Sequence, residues 1–92
     1  MKPVRFTARA ERDMNSIISY YEDIAPGLSA RIVADIRDRL ERLRSFPTSG
    51  QRIGMAGLRR ALSLRYRFKI AYRVTGEAIE VVGVFRFQNL ET

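Results

Sequence analysis

With 92 residues, 46% apolar and 10% aromatic, the chain has the composition of one globular domain spanning 1–92 and is too short for a second. It contains neither cysteine nor histidine, which removes disulfides, thiolate nucleophiles, His-based triads and most zinc sites, so no metal and no cofactor are expected. The formal charge of +7 is unevenly spread: residues 1–45 carry nine basic and seven acidic side chains, residues 46–92 eight basic and three acidic.

The hydropathy pattern changes period once, near Pro47, from helical to alternating. Residues 2–6 alternate and predict a short first strand, with Pro3 near its start, where a missing donor is tolerated. Thr7 is the predicted N-cap of a first helix, whose apolar residues Ala10, Met14, Ile17, Ile18, Tyr21 and Ile24 share one stripe. Ala25-Pro26-Gly27 ends it. A second helix is predicted from about Ser29 to Ser45, with Ile32, Val33, Ile36, Leu40 and Leu43 facing inward. Its other face pairs Arg31 with Asp35, Asp35 with Arg39, Arg37 with Glu41 and Asp38 with Arg42. Such pairs are worth about 0.2–0.5 kcal/mol each, so this face reads as solvated surface.

After a loop containing Gly50, Gly54 and Gly57, strand patterns follow. Leu58, Leu62 and Leu64 fall on one side of a segment ending at Arg65, with Arg60 interrupting them near a sheet edge; Arg59, Ala61, Ser63 and Arg65 fall on the other. From Tyr66 to Val74 the alternation is cleaner, Tyr66, Phe68, Ile70, Tyr72 and Val74 against Arg67, Lys69, Ala71 and Arg73. Thr75-Gly76-Glu77 reads as a turn, and Ile79 to Phe87, apolar on both faces, as a central strand. The predicted order is β-α-α-β-β-β, an α+β fold with an N-terminal helical hairpin packed on a small, largely antiparallel twisted sheet.

Between Phe46 and Gly76 lie seven basic residues and no acid, which predicts a positive field with nothing local to cancel it. All the basic residues except Lys2 and Lys69 are arginines, suited to carboxylate or phosphate, although a coding bias toward arginine gives the same excess. The Arg67/Lys69/Arg73 row is the leading candidate surface for an anionic partner; a half-exposed sheet also places polar side chains at alternate positions without one. Tyr20 is a candidate contact, whereas Tyr21 lies on the core stripe. The N-terminus lacks the apolar core of a secretory signal, and no run approaches the ~18 apolar residues of a membrane span, so a cytoplasmic protein is expected.

The order and spacing of several pieces carry a family resemblance. Ala10 is followed by Asp13, Ile17 and Tyr20-Tyr21; the second helix closes on Leu43, Phe46-Pro47 and Gly50; then come Gly57-Leu58-Arg59, the run Tyr66-x-Phe-Lys-Ile-x-Tyr-Arg-Val and a valine-rich final strand. Together these resemble the ParE/RelE toxin family over essentially the whole chain. The resemblance implies the toxin of a type II toxin–antitoxin pair, held in a hetero-oligomer by a small antitoxin with an acidic C-terminal segment and causing growth arrest when released. It also implies one of two targets: ParE-like members inhibit DNA gyrase without cutting nucleic acid, and RelE-like members cleave mRNA in the ribosome. Candidate antitoxin- or target-binding residues are Tyr20, Arg59, Arg65, Arg67, Lys69, Arg73 and Arg86. In the nuclease branch Lys69 would take the place of a catalytic arginine, with Arg67 and Arg86 beside it. Such a nuclease must activate a 2′-hydroxyl and protonate a leaving oxygen. Here the tail reads Val84-Phe85-Arg86-Phe87-Gln88-Asn89, no tyrosine follows Tyr72, and Arg86 stands where many relatives have histidine. Arginine holds an anion but shuttles protons poorly. A gyrase inhibitor that acts by binding is therefore expected over a ribosome-dependent mRNA interferase.

Overall fold

The structure, a computed structural model, describes residues 1–54 and 56–86. Its elements are β1 (Val4–Phe6), α1 (Ala8–Ile24), α2 (Leu28–Ser45), β2 (Gln51–Arg52), β3 (Arg59–Leu62), β4 (Lys69–Val74) and β5 (Ile79–Phe85). Thr7 caps α1 as predicted: its backbone is extended and its Oγ1 accepts from Ala10 N at 3.1 Å. Gly27, at φ 96°, supplies the left-handed turn that starts α2 two residues beyond the end of the Ala25-Pro26 break. Except for Ile24, which is 58% exposed at the end of α1, the stripes merge into one core: Ala10 and Ile17 from α1, Ile32, Ile36, Leu40 and Leu43 from α2, and Ala61, Phe68, Ile70, Tyr72, Ile79, Val81 and Val84 from the sheet side. Among the described residues no helix is long and apolar enough to cross a membrane.

The sheet order is β1-β5-β4-β3-β2. β1 runs parallel to β5, and all other neighbours are antiparallel. The α+β architecture agrees with the predicted one, β5 lying between β1 and β4 as a strand apolar on both faces should. The Thr75 turn is also as predicted, its Oγ1 accepting from the N–H groups of Glu77 and Ala78. β2 was missed, being two exposed polar residues with no alternation to reveal them. The residues Phe87, Gln88 and Asn89 of the tail lie outside the described residues.

Two sequence expectations are corrected in the third-strand region. The leucine alternation put Leu58, Leu62 and Leu64 inward, yet Ala61 and Ser63 are the buried residues and Leu64 is 60% exposed. The reason is a turn. Ser63 N donates to Phe68 O and Ser63 Oγ accepts from Phe68 N, so residues 64–67 close a loop and β4 begins only at Lys69. Arg67 is consequently left-handed, at φ 63°, and is not part of a strand row. The second correction is Asp35, assigned above to a solvated charge face. It is buried, and its carboxylate accepts from Arg65 N at 3.0 Å and Tyr66 N at 2.7 Å, holding the turn against α2.

A shift of register between Ala71 and Tyr72 marks a bulge where Val82 has no partner on β4. Helix α1 docks there. Asp13 Oδ2 accepts from Val84 N at 3.0 Å, and Thr7 N donates to Val81 O at 3.0 Å, so the start of α1 is tied to β5 by hydrogen bonds as well as by packing.

Candidate binding surface

The fold does not gather the seven predicted site residues into one patch. Tyr20 and Arg86 do meet: the guanidinium carbon lies 4.3 Å from the Tyr20 ring centroid, and the ring stands edge-on to Tyr21 at 4.9 Å. Hydrogen bonding to the Tyr20 hydroxyl, then to that of Tyr21, outweighs burial and raises the Arg86 pKa above its ordinary value. This charge is permanent, so Arg86 can hold an anion and cannot relay a proton at neutral pH.

Arg59 is half-buried and structural. Its Nη1 donates to Gly50 O at 2.8 Å and Thr48 O at 3.2 Å, while the Tyr72 hydroxyl donates to Pro47 O at 2.7 Å and accepts from Gly50 N at 3.0 Å. These bonds latch the loop after α2 onto the sheet. Replacing Arg59 with alanine is expected to cost about 1–2 kcal/mol in a urea titration, since the Thr48 and Gly50 carbonyls both lose a charged donor.

The Arg67/Lys69/Arg73 row is not the open, acid-free face that the sequence predicts. Lys69 is 7% exposed, Arg67 sits in the turn, and Arg73 Nε lies 3.2 Å from Glu80 Oε1, its register partner on β5. The segment contains no acid, but the fold brings Glu80 to one end of it and Asp35 to the other. Burial acts to raise the Asp35 pKa; hydrogen bonds from Tyr66 N, Arg65 N and the Ser63 side chain, together with the Arg65 charge, outweigh it and hold the carboxyl below its ordinary value. Arg65 itself is exposed at this turn.

The structure does assemble a basic surface elsewhere. An open groove of about 540 Å³ runs between the C-terminal half of α2 and the β2–β3 edge, and Arg67 lines it together with Arg39, Arg42 and Arg60. Sequence reasoning placed Arg39 and Arg42 on a solvated face and so missed them. The signal available was position: Arg39 lies four residues after Asp35 and three after Ile36, on the flank of the apolar stripe where side chains meet the sheet.

The chain matches the ParE toxin of the type II toxin–antitoxin system parDE over residues 4–88. It is 30% identical over 83 residues to Y4kP of Sinorhizobium fredii (strain NBRC 101917 / NGR234), whose name proposes a toxin, covering 90% of this chain and 85% of that one. Its fold is similar to that of a chain from the chromosomal ParDE TA system of P. aeruginosa, with a TM-score of 0.80 at 24% identity over 94% of this chain and 96% of that one. A mutant of YafQ from E. coli shares the fold at a TM-score of 0.59 and 8% identity, with both chains covered in full. The chain belongs to the ParE toxin family of type II toxin–antitoxin systems.

Proposed function

We infer that this toxin acts by binding, that its target is DNA gyrase, and that a small acidic antitoxin restrains it in a protein–protein complex. Family membership supports the toxin role and the antitoxin. The burial of Lys69 is the observation that favours binding over cutting. A residue that neutralises a scissile phosphate must reach it, and Lys69, standing in the nuclease branch's arginine position, is 7% exposed at the start of β4. Tyr72 is equally withdrawn: it is fully buried, with its hydroxyl committed to Pro47 O and Gly50 N. Arg86, set against Tyr20, supplies charge without a transferable proton.

The nuclease alternative has a direct test. Translating ribosomes incubated with purified toxin should keep their message intact, and Lys69→Ala should leave that outcome unchanged. Message cut within the ribosome by the wild type and spared by a folded Lys69→Ala variant would replace the binding mechanism with a catalytic one.

A further inference from the structure

The groove between α2 and the β2–β3 edge combines two features that a toxin surface facing only water would not need. Four arginines line it: Arg39 and Arg42 from α2, Arg60 from β3, and Arg67 from the turn before β4. Three large apolar side chains also line it: Leu62, which is partly buried, and the exposed pair Phe46 at 63% and Leu64 at 60%. The three ion pairs found among the described residues, Arg9–Asp13, Arg44–Glu41 and Arg73–Glu80, include none of these four arginines. Arg39 Nε donates to Leu62 O at 3.0 Å and Arg60 Nη2 to Gln51 Oε1 at 2.7 Å, both neutral acceptors that orient the cations without cancelling their charge. Four like charges around one concavity favour an anionic occupant.

The apolar pair decides which anion. A nucleic-acid backbone would match the arginines but leave Leu64, which has no ring to stack, in water. A protein segment can supply carboxylates for the guanidinium forks and an aliphatic or aromatic side chain for the space between Phe46 and Leu64. The walls are also set before binding. The turn carrying Leu64 and Arg67 is held by Asp35, and the loop after Phe46 is latched by Tyr72 and Arg59, so little ordering cost remains on this side of the interface.

We propose that this groove is the docking surface for an acidic protein segment bearing an apolar anchor, with Arg42 and Arg67 on its carboxylates and Phe46 and Leu64 enclosing the anchor. The identification of that segment as the antitoxin's rests on the toxin reading above. Arg42 and Arg67 make no hydrogen bond or ion pair within the described chain that their replacement would break, which makes them the informative pair.

The experiment is an anisotropy titration of the toxin with a fluorescently labelled cognate antitoxin, the small acidic protein that the toxin reading implies. Arg42→Glu with Arg67→Glu is expected to weaken binding about 100-fold or more, and Phe46→Ala with Leu64→Ala about tenfold with an unchanged salt slope. Arg12→Glu with Arg37→Glu, an equal change in net charge at exposed positions outside the groove, should stay within about threefold. Each variant is checked for an unaltered urea midpoint. Equal weakening by the control pair would refute the groove while leaving the antitoxin reading intact. A single-stranded oligonucleotide that binds more tightly than the protein, and responds to the arginine pair but not to Phe46 and Leu64, would overturn it in favour of nucleic acid. Absence of any binding to the wild type would remove both readings together.

Discussion

Asp35→Ala is expected to lower the stability of the folded chain by about 2–4 kcal/mol, read as a shift of the urea midpoint at neutral pH. The magnitude comes from donors left behind. In the wild type the Arg65 and Tyr66 N–H groups point at a carboxylate at 3.0 and 2.7 Å, and the substitution leaves both without an acceptor at a part-buried site. Each unsatisfied donor costs about 1–3 kcal/mol. Asp35→Asn keeps the shape and one acceptor, so it should cost less, but it removes the titration. Because the folded carboxyl has a lowered pKa, its contribution is present above the unfolded value of about 3.8 and is lost as pH falls through the lower folded value. Wild-type stability should therefore drop more steeply than that of Asp35→Asn on acidification below about pH 4. Parallel stability curves for the two proteins would show that Asp35 is not the anchor of this turn.

Gly50→Ala should destabilise by about 2–3 kcal/mol in the same assay, because overpacking beside backbone has no cheap relief. A Cβ at residue 50 would come within 2.8 Å of both Arg60 O and Tyr72 Cε1, and the first of these is main chain in β3. The loop would have to lift, breaking the Gly50 N to Tyr72 hydroxyl bond. Gly83 makes the useful contrast. A Cβ there meets chiefly the far edge of the Phe85 ring, at 2.7 Å, and a side chain can swing where a strand cannot. Gly83→Ala should thus cost less than Gly50→Ala. The reverse order would mean that the loop after α2 yields more readily than its latch of hydrogen bonds implies.

These two positions also show what the sequence makes legible. Periodicity carries the helices and the inner face of β4 because burial of apolar stripes dominates there, and the Thr7 cap and Thr75 turn are local hydrogen-bond chemistry within three residues. The basic surface depends on contacts between distant elements. Asp35 and Arg65 are 30 positions apart, and nothing in the i,i+4 pattern of α2 distinguishes a carboxylate that meets a turn from one that meets water. Ser63 reads as an outward strand residue until its bonds to Phe68 make it the hinge of a turn. With the turn in place, Arg67 leaves the strand row and joins Arg39 and Arg42 across the groove. The count of arginines was legible and their surface was not. The likeness to the ParE family was legible because it rests on spacing along the chain, which tertiary contacts do not alter.

Supercoiling of relaxed plasmid by purified gyrase, titrated with the toxin, tests inhibition by binding most directly. Supercoiling should cease at saturating toxin and return when an acidic antitoxin is added. Undiminished supercoiling at toxin concentrations that stop cell growth would contradict gyrase as the target.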